Sequence, residues 1–131
     1  MAGAHFDSCG SHSHPLPELN LLYPSRGNFI AIVGRWKQRS VVRKFKWDCV
    51  GAADLPVVSI AAPSSIAGID FSDHLNYWGE GFPALMITAT AFLRNPRCHQ
   101  PTDTHDTLDY SRVAEVVRLL HAGLLEFAKP Q

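Results

Sequence analysis

Residues 28 to 33 read Asn-Phe-Ile-Ala-Ile-Val and stop at Gly34. From Phe29 onward this run has no polar alternation, so it suits a strand buried on both faces. Two further apolar runs follow: residues 56 to 61, with Val57-Val58-Ser59-Ile60, and Ala84 to Thr88. Between the first two lies a segment of helical length, residues 36 to 49. Val41, Val42 and Phe45 form its expected inner stripe, and its basic positions face out. Residues 73 to 79 read as a short helix capped by Ser72 or Asp73. The last helix starts after Asp109, its expected cap. Val113, Val116, Val117, Leu120, Leu124 and Phe127 recur at helical spacing, and Pro130 follows. Strands alternating with helices predict an α/β sandwich with a largely parallel sheet. Ligands of such sheets sit beyond the carboxyl ends of the strands.

At 131 residues the chain fits one domain, and its 46% apolar and 18% charged content is that of a globular protein. Twelve basic and twelve acidic side chains cancel. With no net field, neither nucleic acid nor an acidic membrane surface is an expected partner. Cys9, Cys49 and Cys98 are too few and too irregular for a disulfide framework or a zinc ribbon. No apolar run has the roughly 18 residues of a membrane span. No apolar leader segment follows Met1, so a cytosolic location is expected for the chain as written.

Several residues are candidates for chemistry. In an extended segment His5 and Asp7 point to one side, where the carboxylate can brace an imidazole. His99 stands in a loop stiffened by Pro96 and Pro101, with Asp103 near enough to support its ring. Residues 89 to 107 form a long polar loop, and such loops are often functional. Taken singly, each histidine is more often an ordinary solvated side chain. Cys9, His12 and His14 make a small soft-ligand cluster in a linker rich in helix breakers. Ser72-Asp73-His74 has the residue types of a triad, but triads converge from separate segments, so a helix start is the better reading. Trp78, Tyr77 and Phe82 suit either a pocket lining or the core.

In combination these segments resemble the zinc aminopeptidases of the aminopeptidase-Y type, relatives of the glutaminyl cyclases. Met1 to Ser8 resembles the strand and first metal motif of that family, and Leu21 to Gly34 a later strand region. Ile69 to His74, Phe82 to Met86 and Phe92 to Tyr110 resemble its C-terminal half in order and spacing. The resemblance implies a three-layer α/β/α sandwich with a mostly parallel central sheet, two zinc ions and removal of N-terminal amino acids from peptides. It implies His5 as a ligand of one zinc, Asp7 as the carboxylate beside it, His99 as a ligand of the other, and Asp73 as an acid near the site. The organisation expected is a single partial domain: residues 1–8 as the motif remnant, 9–18 as a linker and 19–131 as the C-terminal half.

The departures are as informative. The family places a bridging Asp, a Glu-Glu pair and a further Asp after its first motif. Here a short linker with Glu18 as the nearest acid joins Ser8 to the later strands. Cys98 stands where many relatives carry Tyr, and Ala89 where close relatives carry Asp. A catalytic zinc needs about three protein ligands, and a two-metal centre needs two such sites. The expectation is a truncated or internally deleted member with an incomplete dizinc site and little activity alone on a peptide or aminoacyl substrate. The alternative is a catalytically inactive relative serving as an interaction module. A sheet stripped of strands would expose apolar surface and favour self-association. Members of the family are often secreted, which sets the resemblance against the cytosolic expectation.

Overall fold

A computed structural model describes residues 27–66, 68–90 and 95–130. His5, Asp7, Cys9, His12, His14 and Glu18 lie outside the described residues. Strand β1 (Ile30–Arg35) leads through a 3-10 turn (Trp36–Gln38) into helix α1 (Arg39–Cys49). Strand β2 (Val57–Ala62), helix α2 (His74–Gly79) and strand β3 (Met86–Thr88) follow. A 3-10 turn (His105–Thr107) precedes the long helix α3 (Tyr110–Phe127).

The described strands form one mixed sheet in the order β2-β1-β3. β1 pairs with β2 in parallel, Ile30 opposite Val57 and Arg35 opposite Ala62. β3 runs antiparallel to β1, with Ala31 opposite Thr88 and Val33 opposite Met86. β1 is the central strand, and the two-residue alternation of a strand divides its side chains between two cores. Ile30 and Ile32 join Val42, Phe45, Cys49, Leu55, Val116 and Leu119 beneath α1 and α3. Phe29, Ala31 and Val33 join Ala62, Ile69, Trp78 and Met86 on the other face. This is why the run has no polar position after Asn28: neither face meets water.

Helix α1 buries Val42, Phe45 and Cys49, at helical spacing. Val41, expected in that stripe, is only half-buried. Gly34 lets α1 lie close to the sheet, because a Cβ there would stand 2.6 Å from Val42 Cγ2. Asp109 caps α3 as expected, its side chain accepting from the Arg112 amide at 3.1 Å. The buried stripe of α3 is Val116, Leu119 and Gly123, however, and Val117 and Leu124 are exposed. The shift has a cause in the packing of α3 on α1. Gly123 faces Cys49 and the Phe45 ring, and its missing side chain allows the closest approach of the two helices. The contact line is drawn through the small residue rather than through the largest number of apolar ones. Phe127 closes the end of this contact edge-on to Phe45, with ring centroids 5.8 Å apart.

Helix α2 begins where expected, but neither Ser72 nor Asp73 caps it with a side chain. Asp73 takes the cap position in helical conformation without such a bond, and Leu75 N instead donates to the Ser72 carbonyl. No helix among the described residues is long and apolar enough to cross a membrane.

Candidate functional site

The antiparallel course of β3 decides where the following loop starts. Thr88 lies beside Ala31, near the amino end of β1, whereas the carboxyl ends of β1 and β2 lie together at Arg35 and Ala62. The loop carrying His99 therefore leaves the sheet at the end opposite to the carboxyl ends of the two parallel strands. The rule for parallel sheets, which the sequence invites, does not bring them together.

Within this loop the backbone departs from ordinary conformations at two non-glycine residues, Thr90 (φ 61) and His99 (φ 62). Left-handed backbone is uncommon outside glycine, and for a β-branched residue such as Thr90 it is an outlier. Each such position costs on the order of 1–3 kcal/mol and persists only where its surroundings enforce it. Around Thr90 the enforcement is local: its amide donates to Thr88 Oγ1 at 2.9 Å, and its hydroxyl donates to the Ala89 carbonyl at 2.6 Å.

Around His99 it comes from Asn95, a buried polar side chain. Asn95 Oδ1 accepts from the Arg97 amide at 2.8 Å, the Asx turn that an Asn-Pro pair favours. Asn95 Nδ2 donates to Asp103 Oδ1 at 3.1 Å. Backbone bonds from Cys98 N to Asn95 O, Gln100 N to Arg97 O and Asp103 N to Gln100 O complete a series of turns. His99 is thus presented to solvent on a short, internally bonded arch. Asp103 braces this arch through Asn95. The sequence singled out His99 and Asp103; it missed Asn95, although the Asn95-Pro96 pair is a turn signal. Further along, the Thr104 hydroxyl and the local backbone hold the Asp106 carboxyl below its ordinary range.

Asp73 and Ser72 are exposed, whereas His74 is buried and turned inward. His74 Nε2 lies 2.6 Å from the Ile69 carbonyl, so this nitrogen carries the proton. The His74 ring stands edge-on to Trp78 at 4.4 Å. Trp78 Nε1 donates to the Ala84 carbonyl, and its ring lies under the Arg35 guanidinium at 5.0 Å. A serine relay through Ser72, Asp73 and His74 has no geometry here, and Trp78 is core rather than pocket lining. Tyr77 and Phe82 are exposed. Among the described residues no three His, Cys, Asp or Glu side chains gather to hold a metal ion.

An uncharacterized protein of Escherichia coli K12, YfbL, is 49% identical to this chain over 117 residues. The match covers 89% of the chain and 36% of that protein, so the chain spans about a third of the length of the curated relative it matches. No family model matches the chain, and no solved structure does.

Proposed function

We propose that this chain is a partial zinc-aminopeptidase domain of the aminopeptidase-Y type, a segment of a metallo-exopeptidase that hydrolyses N-terminal peptide bonds. In this reading the mixed sheet with helices on its faces belongs to a three-layer α/β/α sandwich whose sheet is mostly parallel when complete. The observation that carries it is the loop after β3. Its left-handed His99 and buried Asn95 belong to an internally bonded arch that carries the histidine which the resemblance expects as a zinc ligand. Strain gathered in one loop is a reason to suspect a site, because it would otherwise be relieved. The roles proposed are His5 and His99 as ligands of two different zinc ions, Asp7 as the brace of His5, and Asp73 as an acid near the site.

The described residues do not amount to a zinc site, since a catalytic zinc takes about three protein ligands and no such group gathers among them. In this reading the dizinc site is incomplete because the family's bridging Asp, Glu-Glu pair and further Asp have no counterpart after the first motif, and no hydrolytic step is derived through it. A peptide or aminoacyl compound is the proposed substrate of a completed site. The second reading is a catalytically inactive relative acting as an interaction module. Exposed Leu75, Tyr77 and Phe82 around α2 favour it.

The test is zinc content after chelation and reconstitution, read beside hydrolysis of leucine-nitroanilide. The expected outcome is less than one tightly held zinc per chain and no turnover. Two zinc ions per chain with turnover would overturn the incomplete site.

A further inference from the structure

Net charge hides an uneven distribution. Six of the twelve lysines and arginines fall within residues 35 to 46: Arg35, Lys37, Arg39, Arg43, Lys44 and Lys46. Two of them are engaged inside the fold, Arg35 against Trp78 and Lys44 with Asp48 and the Phe127 ring. Among the described residues no carboxylate pairs with Lys37, Arg39, Arg43 or Lys46. Two of the three tryptophans stand beside these cations, Trp36 at 59% and Trp47 at 68% exposure. Steps of three and four residues connect Ser40, Arg43 and Trp47 on the exposed side of α1, with Trp36 in the preceding 3-10 turn, where the Arg39 guanidinium lies 5.7 Å from its ring, and the exposed Val50 just past the end of the helix. One indole thus stands at each end of the segment, Trp36 before α1 and Trp47 in its last turn. The opposite side of α1 is fixed in the core by Val42, Phe45 and Cys49, so the ridge cannot turn inward.

We propose that the outer ridge of α1 is a docking surface for an anionic lipid bilayer. Tryptophan settles at the level of the headgroups, and exposed Lys and Arg beside it meet the negative surface potential. The ridge is convex and ends in an apolar Val50. A single-stranded nucleic acid instead calls for a basic groove with bases stacked along it. Charge complementarity and the two exposed indoles together select the bilayer. The contact is peripheral: α1 keeps its inner face on the sheet and offers only side-chain tips. It is independent of any zinc chemistry.

The full chain is mixed with vesicles of equal parts phosphatidylglycerol and phosphatidylcholine, and with pure phosphatidylcholine vesicles. Binding is read by co-sedimentation and tryptophan emission. Trp78 is buried, so a blue shift reports Trp36 and Trp47. The expected result is binding and a blue shift with the anionic vesicles at low salt, lost in ~0.5 M salt, where the screening length is a few ångströms. Arg39→Gln with Arg43→Gln should weaken partitioning by about 25-fold, taking about fivefold for each positive charge removed. Trp36→Ala with Trp47→Ala should abolish the blue shift while Trp78 emission reports an intact fold. Equal binding to both vesicle types, no binding to either, or undiminished binding by either double variant would overturn the proposal. So would binding to a single-stranded oligonucleotide without binding to vesicles.

Discussion

Gly123 sets how closely α3 can lie on α1. A Cβ added there would overlap Cys49 Sγ and come within 3.4 Å of the Phe45 ring. Gly123→Ala should therefore destabilise the fold by about 1–3 kcal/mol, the usual cost of overpacking. Combining it with Cys49→Ala should return part of that loss, and a double-mutant cycle in urea measures the coupling. Cys49 itself is buried, and burial first, then the Asp48 charge, pushes its thiol from about 9 up to about 11. Below pH 9 the thiol is protonated in both folded and unfolded chains. Above it the unfolded chain releases the proton first, so stability falls as pH rises from about 9 toward 11. Unfolding midpoints across that range should fall more steeply for the natural chain than for Cys49→Ala. Neither effect is visible in the sequence, where Gly123 reads as a weak point in a helix and Cys49 as one of three irregularly spaced cysteines.

Elements were legible wherever a local pattern fixed them. The three apolar runs became strands within about two residues at each end, as hydrogen-bond ladders stop where partners stop. Asp109 marked the start of α3 because a carboxylate at that place has a free amide to accept from. Asp109→Ala should cost roughly 1 kcal/mol in a denaturant titration. The face that α3 buries was read less well, because its apolar residues cover more than one stripe. Leu119→Ala should cost about 2–5 kcal/mol, whereas Val117→Ala should change stability by less than about 0.5 kcal/mol. Comparable losses at the two positions would contradict the buried stripe of Val116, Leu119 and Gly123. The side-chain cap of α2 failed for a different reason: Ser and Asp are capping types, but type alone does not place a side chain over an amide.

At the scale of the molecule, the candidate site depends on the direction of β3. An alternation of strands and helices predicts a parallel sheet, and β1, α1 and β2 follow it. Among its described residues the segment between β2 and β3 holds the short α2, and β3 enters beside Val33 and runs back along β1. That reversal starts the loop after β3 beside Ala31, at the end of the sheet opposite to the carboxyl ends of β1 and β2. Replacing Asn95 by Ala should loosen the loop by removing its bonds to Arg97 and Asp103. Amide exchange of residues 97 to 103 should then rise well above that of α3.

Periodicity and turn residues are properties of neighbours along the chain, and they settled the elements and the strand buried on both faces. Strand direction and the contact line between α1 and α3 depend on residues distant in sequence. They follow from which groups can approach most closely once the chain is compact. Gly34 beneath α1 and Gly123 against Cys49 make those approaches, and no local pattern ranks such contacts before the chain has folded.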